Sequence, residues 1–193
     1  RYRDWKKSGH GLMDVESAIV QSCDVYFYKL AQDLGIDQMN EYLSNFGFGA
    51  KTDIDLIGEA SGLLPSREWK RRARQQPWYP GETLIMGIGQ GYFLSTPLQL
   101  AAATAAIANN GTFFAPRVVS YLRSRDSGEV NPIPSRGTTI PVEQPAHWDD
   151  VRRAMVNVIE GQRGTARRIG NEQYRIAGKT GTARKAGRHG YDQ

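Results

Sequence analysis

The chain has 193 residues, a length typical of a single globular domain. Hydrophobic residues make up 39% of it and charged residues 23%, which is close to the average for folded proteins and excludes general disorder. The formal net charge of +5 is too small and too dispersed to indicate a nucleic-acid-binding protein. The single cysteine excludes a framework of internal disulfides.

The sequence contains no apolar stretch of membrane-spanning length. The most apolar run is Leu98 to Ala108, well short of the roughly 18–20 residues that cross a bilayer. We therefore expect no membrane anchor within these residues. The sequence opens abruptly in Arg1-Tyr2-Arg3-Asp4-Trp5, without a charged-then-apolar leader, which favours a piece cut from a longer protein.

Hydrophobic spacing and turn residues predict the following elements in chain order. Helices are expected over residues 14–34 and 37–46, strands over 50–57 and 82–89, a helix over 97–109, a strand over 112–125, a helix over 148–159 and a strand over 174–184. Residues 58–81 and 126–145 are expected to be connections. The first helix should break at Ser22-Cys23-Asp24, because these residue types prefer caps and turns. Helices and strands mix without regular alternation, which favours an α+β fold with an antiparallel sheet.

The sharpest local motif is Lys179-Thr180-Gly181-Thr182, which follows Ala177-Gly178. A lysine, two hydroxyls and a glycine on a strand can bind an anionic group while a substrate approaches the backbone closely. Taken alone, the tetrapeptide is more typical of a polar edge strand. Its significance comes from two other segments, Ser22-Cys23-Asp24 upstream and Gly87-Ile88-Gly89-Gln90-Gly91 between them.

In this order, the motifs resemble the transpeptidase domain of class B penicillin-binding proteins, and within that family the penicillin-binding protein 2 enzymes of cell elongation. The resemblance starts at Tyr2-Arg3-Asp4-Trp5 and Gly9-His10-Gly11 and continues through Tyr26-Phe27-Tyr28 to Lys179. It implies the α+β penicillin-binding fold, an antiparallel sheet flanked by helices. Residues 1–193 would form part of that domain.

The family carries a Ser-x-x-Lys motif with the nucleophile, a Ser-x-Asn motif and a Lys-Ser/Thr-Gly motif. Ser22-Cys23-Asp24 takes the second place, with Asp24 where the wider family mostly has Asn, and Lys179-Thr180-Gly181 takes the third. No serine here is followed three positions later by lysine. The resemblance therefore implies a nucleophile upstream of Arg1, and further strands and a terminal helix after Gln193. Residues 1–193 alone are expected to be inactive.

The activity that the resemblance implies is a serine D,D-transpeptidase, which cross-links D-Ala-D-Ala stem peptides through an acyl-enzyme and is inhibited by β-lactams. Ser22, Asp24 and Lys179 would be its catalytic residues in this chain. Ser22 would relay a proton between the nucleophile, the leaving amine and Lys179. Such a reaction needs no catalytic cofactor.

The substrate-binding residues implied by the resemblance are Thr180, Gly181 and Thr182. The two threonine hydroxyls would hold the substrate carboxylate, and the backbone N–H of Thr182 would form half of the oxyanion hole. Strict strand alternation would place Lys179 and Gly181 on one face and both threonines on the other. All of these groups reach one site only if the strand twists or bulges at Gly181.

Cys23 has two interpretations. A free cysteine is most often a small buried hydrophobe. However, Asp4 and His10 lie just upstream, and carboxylate, imidazole and thiolate are acceptable zinc ligands that leave a fourth position to fill. Penicillin-binding protein 2 enzymes have a structural zinc bound by Asp, Asp, His and Cys. The resemblance thus implies zinc on Asp4, His10 and Cys23, with the first Asp before Arg1.

The resemblance also implies the setting of the protein. It would act at the periplasmic face of a bacterial inner membrane, anchored by a helix outside this chain, with a glycan polymerase and other elongation proteins as partners. Two alternatives remain: a non-catalytic penicillin-binding or sensor module of the same fold, and a β-lactamase, for which no water-activating device is recognisable. The basic run Lys70-Arg71-Arg72-Ala73-Arg74 is expected to be a solvated face, or else a contact with an anionic membrane or cell-wall polymer.

Overall fold

The computed structural model describes residues 2–135, 137–182, 186–187 and 190–191. The chain divides into two compact units. We call the first, Arg1–Lys29 with Asp150–Gln193, the terminal unit, and the second, Leu30–Asp149, the central unit. No helix in the described ranges is both long and apolar enough to cross a membrane.

The described helices are α1 (Val15–Gln21), α2 (Asp24–Ser44), α3 (Arg67–Arg74), α4 (Pro80–Met86), α5 (Pro97–Ala108) and α6 (Ala146–Glu160), with a 3₁₀ turn at Arg167–Ile169. The described strands are β1 (Thr112–Phe114), β2 (Tyr121–Arg123), β3 (Val130–Pro132), β4 (Gly137–Thr139), β5 (Ala186–Gly187) and β6 (Gly190–Tyr191). They pair antiparallel as β1 with β4, β2 with β3 and β5 with β6. The α+β prediction is therefore confirmed.

The predicted break in the first helix is confirmed. Asp14 caps α1 by accepting a hydrogen bond from the Ser17 N–H at 2.7 Å, and α1 ends at Ser22 in a left-handed conformation. The next helix starts at Asp24 and is itself interrupted at Gly35, whose φ of 74° is not helical. Glycine adopts this positive φ without a Cβ penalty, which explains the predicted helix end at Leu34 and restart near Asp37.

The strand predicted over residues 82–89 is wrong, because this segment lies largely in helix α4. Pro80 occupies the first helical turn, where its fixed φ is favourable and its missing N–H is not needed. The Glu82 side chain accepts a hydrogen bond from the backbone N–H of Tyr79 at 2.9 Å, which closes the helix start. A short apolar run does not by itself distinguish a strand from a buried helix, and these caps decide the outcome.

The strand predicted over residues 50–57 is also wrong. The Glu59 carboxylate accepts hydrogen bonds from the backbone N–H groups of Thr52 and Asp53 at 2.7 and 3.2 Å, so the segment folds into a loop. The predicted connection 58–81 contains helix α3, which Ser66 caps by accepting from the Trp69 N–H at 3.0 Å. The basic run is part of this helix.

Lys70 departs from the solvated face expected for that run, since its side chain is only 1% exposed. Its ammonium group pairs with the Glu82 carboxylate and lies 4.3 Å from the centre of the Tyr79 ring. A buried lysine needs such partners, because an unpaired charge would be costly to remove from water.

The strand predicted over residues 112–125 is confirmed only at its ends. It divides into β1 and β2, and β1 pairs with β4 while β2 forms a hairpin with β3. The partner strands β3 and β4 lie in the segment predicted to be a connection. Prolines mark its turns but do not exclude short strands between them.

Separate hydrophobic clusters stabilise the two units. In the central unit, Trp148 packs with a set of buried residues from several elements: Phe46, Ala103, Ala106 and Ile140. A second cluster there consists of Ile36, Trp78 and Met86. In the terminal unit, Val158 and Ile159 of α6 pack against Ala166, with Ile19 and Ile176 at the edge. This last cluster holds α1, α6 and the segment before Lys179 together.

Candidate active site and metal centre

Ser22 lies at the end of α1 in a left-handed backbone conformation, with φ 53° and ψ 54°. Serine adopts this conformation at a cost, so neighbouring groups must hold it in place. The N–H of Cys23 donates to the Ala18 carbonyl at 3.0 Å, and the N–H of Ser22 donates to the Ile19 carbonyl at 3.3 Å. These two backbone hydrogen bonds hold the turn that carries the Ser22 side chain.

Lys179, from the second sequence segment of the terminal unit, contacts this serine. Its Nζ donates to Ser22 Oγ at 2.9 Å, and also lies 3.1 Å from the Thr180 carbonyl and 3.2 Å from Thr180 Oγ1. Although much of the lysine is accessible to solvent, burial of its ammonium group lowers the pKa of Lys179, an effect that the charge of Asp24 opposes. The structure thus brings two predicted catalytic residues into direct contact.

The segment containing Lys179 is not a strand, which corrects the prediction for residues 174–184 over its described part. A strand needs a neighbour to receive its hydrogen bonds, whereas here the Gly178 N–H donates to the Met155 carbonyl of α6 at 3.0 Å. The strict alternation of faces expected for a strand therefore does not apply. Lys179 and Thr180 converge on one place, while Gly181 and Thr182 are exposed beside them. Residues 183–184 lie outside the described residues.

Thr165 is a site residue that the sequence did not indicate. Its Oγ1 lies 3.0 Å from Thr180 Oγ1 and 3.5 Å from the Val20 carbonyl, so it links the Lys179 segment to α1. A lone threonine in a loop after α6 carries no chemical signal of its own. Only the fold brings it to this position.

Asp24, the third predicted catalytic residue, is half-buried at the start of α2. Burial raises the pKa of Asp24, and the nearby negative charge of Asp4 raises it further. A hydrogen bond from the backbone of Trp5 and the charges of Lys179 and His10 act in the opposite direction. The pKa of Asp24 thus depends on the charges of both Lys179 and Asp4.

Asp4, His10 and Cys23 converge behind the Ser22 turn. Their candidate ligand atoms all lie within 4.8 Å of one another. Asp4 Oδ2 is 3.4 Å from His10 Nδ1 and accepts a hydrogen bond from Cys23 Sγ at 3.4 Å. The His10 and Asp4 side chains are only 1% and 3% exposed, so all three groups are withdrawn from water.

The protonation of the cluster is set by burial and by close partners. Burial raises the pKa of the Cys23 thiol, and the neighbouring Asp4 carboxylate raises it further. For Asp4, burial acts to raise the pKa, but the hydrogen bonds from the backbone N–H groups of Lys6 and Val25 and from the Cys23 thiol act with the neighbouring His10 to leave it below its ordinary value. A cation near these groups would favour both anionic forms.

The residues present fit a bound metal ion. Both ring nitrogens of His10 are buried and make no hydrogen bond in the described part of the chain. Buried polar nitrogens are seldom left without a partner, and a metal ligand is one that imidazole commonly accepts. Sulfur, imidazole nitrogen and carboxylate oxygen together form a donor set typical of zinc.

The sequence profile of the penicillin binding protein transpeptidase domain matches residues 1–193. The chain belongs to this family. Among its curated relatives is the peptidoglycan D,D-transpeptidase MrdA of Acinetobacter baumannii, with 47% identity over 191 residues, covering 95% of this chain and 27% of the relative. The MrdA of Salmonella typhimurium is 44% identical over 94% of this chain and 29% of its own length.

Solved structures of the penicillin-binding protein family agree with this membership. A crystal structure of Pseudomonas aeruginosa PBP2 in complex with WCK 5153 superimposes with a TM-score of 0.85 at 48% identity, covering 95% of this chain and 41% of that one. The PBP2 of Helicobacter pylori in complex with MreC gives a TM-score of 0.80 at 36% identity, covering 95% and 33%. This chain therefore spans less than a third of the length of these curated relatives and less than half of these solved chains.

Proposed function

We propose that the protein containing this chain is a peptidoglycan D,D-transpeptidase of cell-wall elongation, and that this chain supplies its proton relay and its carboxylate-binding segment. Family membership and the two relatives named MrdA support the activity. The observation that carries the assignment is the 2.9 Å hydrogen bond from Lys179 Nζ to Ser22 Oγ, which joins residues 157 positions apart in the sequence. A chain selected only for packing has no need to place a lysine on a strained serine.

In the proposed reaction, the family's nucleophilic serine attacks the carbonyl carbon of the penultimate D-Ala of a stem peptide. The new C–O bond forms as the C–N bond to the terminal D-Ala breaks, and the serine proton passes to the leaving amine. Ser22 is placed to relay that proton, because its hydroxyl both accepts from Lys179 and has a proton of its own to donate. The amine of a second stem peptide then attacks the ester carbonyl: the new C–N bond forms, the ester C–O bond breaks, and a proton from the amine returns to the serine oxygen.

The anionic end of the donor peptide would bind at the Lys179 segment. The Thr180 hydroxyl lies beside the lysine ammonium group, and Gly181 has open space where a side chain would be. The exposed Thr182 adds a second hydroxyl and a backbone N–H. Thr165 holds the Thr180 hydroxyl at 3.0 Å and so orients this carboxylate site.

The nucleophile itself is assigned to the remainder of the parent protein, since no Ser-x-x-Lys motif occurs in residues 1–193. These residues alone are accordingly proposed to be inactive. We place the parent at the periplasmic face of the inner membrane, with other elongation proteins as partners. The complex of H. pylori PBP2 with MreC supports partners of this kind.

We also propose that Asp4, His10 and Cys23 hold a structural zinc ion, with a fourth carboxylate ligand from outside this chain. The support is the close approach of their donor atoms and the two buried ring nitrogens of His10 without a hydrogen bond. When bound by protein ligands at all four positions, zinc contributes folding free energy and does not activate water. A zinc ion bound there would tie the segment before Val15, which contains Asp4 and His10, to the turn that carries Ser22.

The proposed activity predicts a large effect of Lys179→Ala on acylation in the intact parent. Loss of a positioned charge or proton-relay group commonly lowers a rate on the order of 10²–10⁴-fold. Labelling with a fluorescent penicillin over time, followed by a denaturing gel, measures the rate. Lys51→Ala, which removes an exposed lysine from the central unit, is the matched control and should label normally.

A Lys179→Ala rate within about threefold of the parent would contradict the assigned role. Turnover of a stem-peptide substrate should fall in parallel with labelling. A parent that labels but does not turn over any peptide donor would instead be a penicillin-binding sensor module.

A further inference from the structure

Trp5 contacts both His10 of the Asp4–His10–Cys23 cluster and the turn at Ser22. Neither the resemblance nor the sequence pattern gave Trp5 a role. Its indole Nε1 donates to the Ser22 carbonyl at 2.9 Å and approaches the Gln21 carbonyl at 3.3 Å. Its ring meets the His10 ring edge-on, with the centroids 5.5 Å apart. Its backbone N–H donates to the Asp24 carboxylate.

The two indole contacts fall on the peptide groups on either side of the Ser22 Cα atom. A hydrogen bond to each carbonyl oxygen restricts the rotation of the two peptide planes, and so the φ and ψ angles of Ser22. These angles set the direction of the Ser22 Cα–Cβ bond, which aims Oγ toward Lys179 Nζ, 2.9 Å away. The indole N–H thus adds a side-chain restraint to the backbone hydrogen bonds from Ser22 and Cys23 to α1.

The turn needs such a restraint. The left-handed conformation of Ser22, with φ 53°, is unfavourable for a residue with a Cβ atom, and the last carbonyls of α1 have no partner within the helix. The indole N–H donates to the carbonyl of Gln21, the last residue of α1, and to that of Ser22, its C-cap. Trp5 is also 59% exposed, much more than a tryptophan retained for core packing.

We propose that Trp5 is a positioning residue of the transpeptidase site, which holds Ser22 in its left-handed conformation so that its hydroxyl stays on Lys179. This inference rests on the proposed function of Ser22. Asp4 is adjacent to Trp5 in the sequence, and His10 contacts the indole. Trp5 therefore links the Asp4–His10–Cys23 cluster to Ser22.

The test uses Trp5→Phe in the intact parent protein, which keeps an aromatic ring beside His10 but removes the N–H donor. A second variant carries 3-benzothienylalanine at position 5, which keeps the shape of indole and also lacks the donor. Trp69→Phe, at an aromatic contact with Tyr92 in the central unit, is the control. For each protein we would measure the saturating acylation rate constant and the penicillin concentration at half-saturation.

Both Trp5 variants should lower the saturating rate constant about tenfold, the effect expected for one lost orienting hydrogen bond, and change half-saturation less than about twofold. The control should match the parent. Hydrogen exchange over residues 19–25 should accelerate in both variants, because the turn opens more often once its carbonyls lose the indole donor. Melting temperature and metal content should stay close to those of the parent.

An unchanged saturating rate constant in the benzothienylalanine variant would overturn the proposal. So would a loss that appears equally in half-saturation, melting temperature and rate, because this would show a general structural role. If the parent itself does not acylate, the proposed function fails. Hydrogen exchange then still tests whether Trp5 restrains the turn at Ser22. Unchanged exchange over residues 19–25 in the Trp5 variants would show that it does not.

Discussion

Gly111 occupies a position where both the backbone and the packing exclude a side chain. Its φ is +81°, and a Cβ atom added there would lie 2.4 Å from the Trp148 ring. Its N–H donates to the Ala106 carbonyl and its own carbonyl accepts from Ile140, both at 2.8 Å. The turn after α5 is therefore fixed against the core of the central unit and cannot move to make room.

We predict that Gly111→Ala destabilises the central unit by at least about 2 kcal/mol, combining roughly 1 kcal/mol of backbone strain with a collision in a packed core. Gly58→Ala is the matched control, since its φ is +82° but no atom lies within 4 Å of the added Cβ. It should show the strain alone. Melting of the purified parent measures both, and equal shifts for the two variants would contradict the packing argument.

At the scale of elements, α5 shows how a helix start is specified by a few polar residues. Thr96 Oγ1 accepts from the Gln99 N–H at 3.1 Å, and Gln99 Oε1 accepts from the Thr96 N–H at 2.9 Å. The fully buried Gln99 amide also donates to the carbonyls of Ala50 and Ser61 at 2.6 and 2.8 Å. The helix start is thus connected to a loop far away in the sequence.

Thr96→Ala is predicted to lower stability by about 1 kcal/mol, the usual effect of losing a helix N-cap. Thr104→Ala changes the same residue type in the middle of the same helix, where the hydroxyl only bonds back to the Leu100 carbonyl. That substitution should be neutral or slightly stabilising, because alanine has the higher helix propensity. Denaturant or thermal unfolding of both variants measures the difference, which should vanish if the cap makes no contribution.

Elements with explicit end signals were predictable, whereas those depending on distant partners were not. Thr96-Pro97 and Gly35 marked helix boundaries that the structure contains. Residues 82–89 were predicted to be a strand, because a short continuous apolar run shows neither the helical nor the strand periodicity. The capping residues that decide for a helix, Tyr79 and Glu82, lie at the start of this run. The strand expected at Lys179 depended on a neighbouring strand, which no local pattern reveals.

The same distinction applies to the candidate site. Ser22, Lys179 and the cluster of Asp4, His10 and Cys23 belong to recognisable motifs, and the structure brings them together, while their chemical roles stay predictions. Trp5 lies in a segment of the resemblance that implied no role for it, and Thr165 belongs to no motif. Their contacts with the site arise only from the fold.

At the scale of the whole molecule, the cluster of Asp4, His10 and Cys23 joins the start of the chain to the α1–α2 junction. Asp4 and His10 belong to the segment before Val15, while Cys23 lies directly after Ser22. Among the described residues, the segment before Val15 contains no helix or strand. Side-chain contacts therefore hold it, among them this cluster and the ring contact of Tyr2 with Tyr28.

We predict that removing zinc from the intact parent lowers its melting temperature by more than about 5 °C, with loss of acylation following as a secondary effect. Cys23→Ser should produce the same decrease and abolish any further response to a chelator. Mass spectrometry of metal content, together with melting curves with and without chelator, measures both. Zinc stoichiometry near zero with identical curves would identify Cys23 as an ordinary buried thiol.

The left-handed backbone at Ser22 has an evolutionary consequence. Glycine adopts that conformation freely and asparagine tolerates it, so either would relieve strain that serine sustains. Neither residue carries the hydroxyl that Lys179 contacts. Selection for folding alone therefore acts against serine at this position, and the proposed role in the reaction predicts that serine is retained. A gene copy released from that second pressure would be expected to lose Ser22 early, while Trp148 and its neighbours in the core persist.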